Sequence, residues 1–390
     1  MNSELFLKHI RQDEPDIYST MLARLWGCLK RHKRKFFFFG TVFGGSWLMY
    51  KFIWRKIKEI RDEEDKQYLI YVRRQHHFDS NQRTCNMTVL GMVPNLREVL
   101  IKSLDTEEVK DMLKLNPPNK IDLWEELKIM SVTRTLAAVY GTCMLSVMLR
   151  VQLNIVGGYL YLDTLHPPAA QKTETVHSSI IPAKVQERYL SLIKQFIEEG
   201  FIDFTHFLRL AVIKEIGSLS LKELVTLDNL STVFENIRER VECGVDKATL
   251  SLYPFLLKSE QVPDISKTSV LNSEDELLER LVIETRDILE SSDFHTVLKE
   301  SIDRGYHCVL DGLADHYKQQ INAEGQNKDI HHVSIAIAKL IPVINALMFN
   351  ICGDAPNRFI QELLLMEELK QLAANVYEAF SQDPSEKVSI

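Results

Sequence analysis

The sequence predicts an all-α protein: an N-terminal transmembrane helix followed by a large elongated helical bundle. Three observations carry that expectation. Turn formers are scarce, with 15 Gly and 12 Pro in 390 residues, too few for the many turns of a sandwich or barrel. Apolar residues recur at helical spacing through most of the chain. One apolar segment near the N-terminus has the length needed to cross a bilayer. A hydrophobic content of 45% with 26% charged residues is that of a chain able to bury a core. The net charge of −7 excludes a globally basic nucleic-acid binder.

The N-terminal element begins with the basic block Lys30-Arg31-His32-Lys33-Arg34-Lys35. The apolar segment Phe36 to Trp54 follows directly, interrupted by Lys51. Its 19 residues span about 28 Å as a helix, close to the ~30 Å hydrocarbon layer. Its nine Phe, Leu, Ile and Val residues favour insertion by about 4 kcal/mol in total. Lys51 lies near one end and can snorkel to the headgroups. Trp47, Tyr50 and Trp54 with Lys51, Arg55, Lys56 and Lys58 form an aromatic and basic edge, and no small-residue cleavage site follows. An uncleaved anchor is therefore expected. Gly40 and Gly44 form a weak GxxxG pair. Six Lys/Arg on each side leave the orientation unread. Six cysteines, no two closer than 35 residues, read as reduced and place the C-terminal part in the cytosol.

The expected organisation is an extension and targeting segment over 1–35, the anchor over 36–54, a cytosolic bundle over 55–380 and a frayed tail over 381–390. The anchor runs into an amphipathic helix over 57–80. A helix starts at Asn95 after Pro94, and Thr106 caps the next, Glu107 to Leu115. Pro117-Pro118 breaks the chain before a long helix opening near Asn119 or Lys120. Within that helix the stretch from Thr135 to Leu149 is uncharged. It reads either as a bundle-core helix or as a second span. Its length of about 22 Å and the following Arg150, Gln152 and Asn154 favour the core. After a loop over 163–182, helices are expected over 183–200, 201–217, 219–230 and 232–243, then an irregular region over 244–272. Ser273-Glu274-Asp275-Glu276 is a capping box opening Leu277–Leu289. Helices over 294–316, 333–351 with a kink at Pro342, and 357–380 complete the bundle.

No phosphate cradle, zinc motif or nucleophile elbow is written in the chain. The pairs His76-His77 and His331-His332 point about 100° apart on a helix and make no ready chelate. No catalytic residue, metal, cofactor, nucleic acid or small-molecule substrate is expected. The chain reads as a non-enzymatic interaction module. Its site candidate is Trp124, just beyond the Pro-Pro break, with Lys120 and Leu127 on the same helix face and Leu113 across the turn. The four can line an apolar groove with a basic rim. The alternative is that Trp124 fills the domain core.

Longer strings sharpen the reading. Leu29-Lys30-Arg31-His32-Lys33, Phe78-Asp79-Ser80-Asn81-Gln82-Arg83-Thr84-Cys85-Asn86-Met87-Thr88, Leu149-Arg150-Val151-Gln152-Leu153-Asn154-Ile155 and Ala373-Ala374-Asn375-Val376-Tyr377-Glu378-Ala379-Phe380 closely resemble the peroxin-3 family. The resemblance covers nearly all of residues 21–380 and departs over 1–20. It implies a single-pass peroxisomal membrane protein with a cytosolic bundle, present also in the endoplasmic reticulum during biogenesis. It implies docking of peroxin-19, the soluble carrier of new peroxisomal membrane proteins, whose amphipathic helix lies in a groove matching Leu113, Lys120, Trp124 and Leu127 here. Lys30, Arg31, Lys33, Arg34 and Lys35 with the apolar segment match the family's targeting signal. The resemblance also makes the 135–162 stretch a core helix. A second family role is that of a tether recruiting inheritance, motility or autophagy factors.

Overall fold

A computed structural model describes residues 33–165, 179–242, 252–257, 273–323 and 329–382, with the side chains of the first helix from Ser46 onward. Residues 1–20, the targeting residues Lys30 and Arg31, Cys28, Cys243 and most of the expected tail lie outside the described residues, as do the side chains of Lys33, Arg34 and Lys35.

Helix α1 (Lys33–Ser103) unites three expected pieces in one run of 71 residues, including the backbone of the anchor segment. Asn95 is therefore not a helix start, and Pro94 lies inside α1. A proline there removes one backbone hydrogen bond, a cost of about 3 kcal/mol. Val89, Val93, Leu96 and Leu100 are buried on one face around it, and their burial at roughly 1.5–3 kcal/mol each outweighs that cost. The chain divides into two units along α1, Met1–Arg73 and Arg74–Ile390. Every side chain from Ser46 to Arg73 is exposed.

Helix α2 (Thr106–Lys114) is capped by Asp105, whose carboxylate accepts the N–H groups of Glu107 and Glu108 at 3.0 and 3.1 Å. The expected cap, Thr106, is instead fully buried and accepts a hydrogen bond from Arg134. Helix α3 (Lys120–Leu165) opens where the sequence indicates and runs for 46 residues. It is long and apolar enough to cross a membrane, yet its most apolar window is 94% buried inside the protein. A helix apolar on every side belongs at the centre of a bundle, and α3 is that centre.

Three short pieces, α4 (Ala183–Leu190), α5 (Leu192–Gln195) and a π-helical turn at Phe196–Gly200, lead into α6 (Phe201–Ile216). The helix expected over 219–230 does not form. Leu224–Val225 (β1) instead pairs antiparallel with Ile335–Ala336 (β2). The Glu223 carboxylate accepts the Ser220 N–H, and the Thr226 hydroxyl accepts the Asn229 N–H. These bonds make a turn and a new cap, so α7 runs Leu227–Glu242. Within the region expected to be irregular lies α8 (Tyr253–Leu256).

Helix α9 (Ser273–Leu289) begins at Ser273 itself, so the expected capping residues form its first turn. Its three acids there complement the helix dipole. Helix α10 (Ser292–Ala323) precedes β2, and the β1–β2 pairing delays α11 (Ile337–Cys352), which was expected from Val333. The single helix expected over 357–380 is two: α12 (Arg358–Leu364), capped by Asn357, and α13 (Glu367–Ser381). The break leaves Leu365 exposed and turns Met366 into the core.

Helices α6, α10, α11 and α13 pack on α3. A buried polar network ties α1 to it. Arg150 donates to the amide oxygens of Gln82 and Asn86 and to the Leu364 carbonyl at 3.3 Å. Asn81 donates to the Leu153 carbonyl and to Asn154, which also accepts from Gln82 at 2.8 Å. Two of the strings that carry the family resemblance thus meet face to face.

Candidate functional site

The Pro117-Pro118 turn folds α2 back beside the start of α3, with Asn116 in the left-handed region at φ 54°. Lys120, Trp124, Leu127 and Ser131 fall at i, i+4, i+7 and i+11 along α3, one stripe on one face. Lys110, Leu113 and Lys114 of α2 face that stripe, and Ile341, Pro342 and Asn345 of α11 close the third side. Together they line a cavity of about 320 Å³. All four residues singled out in the sequence, Leu113, Lys120, Trp124 and Leu127, are in it. Trp124 and Leu113 are half-buried and pack against the hydrophobic core while facing the cavity. Leu127 is 3% exposed and forms the floor. Trp124 thus packs on the core with one side and lines the opening with the other.

The rim is basic but unequal. Lys110 pairs with Glu107 and Lys114 with Asp111, each at 2.7 Å within α2. The pairing with Asp111 raises the Lys114 pKa. Lys120 donates instead to the neutral amide oxygen of Asn116 at 2.8 Å. Among the described residues no carboxylate pairs with it.

Beneath the floor, Arg134 is 4% exposed and holds the three walls together. Its guanidinium donates to Thr106 of α2 at 2.5 Å and to Asn345 of α11 at 3.4 Å. Burial lowers its pKa, while Glu107 and Asp105 nearby oppose that shift. Lys128, buried beside the floor, bonds the Leu219 carbonyl and pairs with Glu125. The sequence reading missed Lys110, Lys114, Ser131, Ile341, Pro342 and Asn345 of the lining, and Arg134 beneath it. Arg134 had a signal, as the last charge before the uncharged run. The α11 residues had none, because they come from more than 200 residues away.

A second cleft, of about 480 Å³, lies between α10 and the start of α12, lined by residues that include Cys308, Asp311, Phe349, Asp354 and Glu362. Among the described residues no group of three or more His, Cys, Asp or Glu is arranged to hold a metal ion. His77 bonds the Tyr377 hydroxyl at 2.8 Å, and His331 bonds Asp228 at 3.1 Å.

The sequence model of the peroxin-3 family matches this chain over residues 27–118 and 115–379. The chain belongs to the peroxin-3 family. Among its relatives, peroxisomal biogenesis factor 3 of Rattus norvegicus is 42% identical over 370 residues, covering 93% of this chain and 98% of the relative. The Homo sapiens peroxisomal biogenesis factor 3 is 42% identical over 371 residues, with the same coverage. Peroxisome biogenesis protein 3-2 of Arabidopsis thaliana is 25% identical over 368 residues, covering 90% and 97%. A member of the peroxin-3 family has its role in peroxisome biogenesis.

Proposed function

We propose that this peroxin-3 family member is a docking receptor of the peroxisomal membrane, anchored once by residues 36–54 with its bundle in the cytosol. Its groove receives an amphipathic helix of the carrier peroxin-19. The observation that carries this reading is the apolar cavity formed by Leu113, Trp124 and Leu127 with Lys120 at its edge. The cavity is open, mostly apolar and bounded by rigid helices, which is what helix-in-groove recognition requires. An aromatic anchor at the centre supplies affinity, and the unneutralised Lys120 selects an acidic residue at the rim. A carrier shields an apolar cargo segment from water. Docking it on an anchored receptor confines the cargo to the target bilayer and raises its local concentration there. The family role as a biogenesis factor points to binding and not to turnover.

Hydrogen exchange of the full chain with a synthetic peroxin-19 N-terminal helix tests the site. The expected result is slowed exchange in two separate stretches, 110–131 and 337–345, because both walls are covered. Protection confined to other helices would overturn the assignment. The second cleft favours an additional tether role at a different surface. A partner held there survives Trp124→Ala in a pull-down, whereas the carrier is lost.

A further inference from the structure

From within the aromatic edge of the anchor segment onward, α1 carries a one-sided band of cations. Lys51, Arg55, Lys58 and Arg61 follow at spacings of four, three and three, within about 120° of one another around the helix. All four are exposed. Lys51 lies 5.3 Å from the centre of the Trp47 ring. Among the described residues no carboxylate pairs with Arg55, Lys58 or Arg61. Lys56 points to the other side and pairs with Glu59 at 3.7 Å. Beyond the band the sign reverses abruptly: Asp62, Glu63, Glu64 and Asp65 are consecutive acids.

We infer that the face formed by Lys51, Arg55, Lys58 and Arg61 binds the anionic phosphate headgroups of lipids on the side of the bilayer where the anchor ends. This rests on the reading of residues 36–54 as a membrane anchor. The headgroup layer adds roughly 5–7 Å beyond the hydrocarbon, and the surface field decays over a further ~8 Å. Arg61 stands about 10 Å beyond Trp54 along the helix, inside that reach. The acids begin at about 12 Å and end near 17 Å, so Arg55, Lys58 and Arg61 all lie nearer the lipid than these four acids, in the stronger part of the field. One turn earlier they would cancel the attraction. The order of the charges, cations first and acids after, therefore suits a helix leaving an anionic surface. Each cation so placed contributes to retaining anionic lipid around the anchor.

The full chain is reconstituted in vesicles of about one part phosphatidylserine to four parts phosphatidylcholine, and the preference for the anionic lipid is read by electron paramagnetic resonance of spin-labelled lipids. The wild type is expected to prefer phosphatidylserine by threefold or more on this scale, roughly. The triple variant Arg55→Gln, Lys58→Gln, Arg61→Gln should fall to near parity, while Lys56→Gln changes little. Inorganic phosphate at matched ionic strength should leave the preference intact. Its displacement by phosphate would assign the cluster to a soluble anion and overturn the inference. Alkaline carbonate applied to the same vesicles separates the two layers of the argument. Release of the wild type removes the anchor and this inference with it. Retention of both chains with an undiminished preference in the triple variant overturns the lipid assignment alone.

Discussion

Arg150 carries its charge at the centre of the bundle with 1% exposure, and among the described residues no carboxylate pairs with it. Its partners are amide and carbonyl oxygens from α1 and the end of α12, and burial pulls its pKa below the ordinary value. A buried cation is tolerated when its donors are largely met; both terminal nitrogens of Arg150 are bonded, while its Nε has no partner among the described residues. Arg150→Ala leaves the oxygens of Gln82, Asn86 and Leu364 without a donor and opens a void. We expect a loss of about 3 kcal/mol in urea unfolding of the full chain. His77 makes a second residue-level prediction. Burial first, and the neighbouring His76 second, lower its pKa from 6.5. The groups around it are the Tyr377 and Tyr161 rings, with the Arg74–Glu378 pair nearby. The folded state therefore favours the neutral ring, and the unfolded chain binds the proton first. The stabilisation is complete above about pH 6.5 and is lost as pH falls through the lowered value. His77→Gln should show a smaller drop in melting temperature between pH 7.5 and 5.5 than the wild type, by thermal circular dichroism.

Among the elements, α3 decides the fold, and its cysteine reports whether it is a core helix. Burial pushes Cys85 up to about 11 and Cys352 up to about 12, and it pushes Cys143 in the middle of α3 higher still. The thiolate is the reactive form, so all three should resist maleimide in the native chain and label only after denaturation. Rapid native labelling of Cys143, read by peptide mass spectrometry, would contradict the packing. The sequence was a good guide where a helix depended on its own periodicity, as for α3 and α10. It misled where distant segments decided the outcome. The residues 219–226 have helical spacing, yet their pairing with Ile335–Ala336 across more than 100 residues diverts them into a turn and a strand. Pro94 was read as a boundary because its local cost is visible, whereas the buried contacts of Val89, Val93 and Leu96 that offset it are not. The break at Leu365–Met366 likewise follows from where the core lies.

At the scale of the molecule, the groove joins these levels. Half of it was legible: Trp124, Lys120 and Leu127 share a helix face, and Leu113 sits across a turn that two prolines announce. The other wall, Ile341, Pro342 and Asn345, comes from α11 and depends on the path of the whole chain. Arg134 explains why the walls stay in register, since one buried guanidinium bonds both α2 and α11. The family strings proved to be largely architectural, locking α1 to α3 through Arg150 and Asn154, while the groove lies in a different part of the bundle. The central claim is that this slot grips a visiting helix through the Trp124 indole and the Lys120 charge. Calorimetric titration of a peroxin-19 helix peptide into the full chain, wild type beside Trp124→Ala and Lys120→Glu, tests it most directly. The account predicts about 30-fold weaker binding for Trp124→Ala, a loss near 2 kcal/mol, with helicity retained, and weaker binding for Lys120→Glu with unchanged melting. Wild-type affinity in both variants with their folds intact would contradict it.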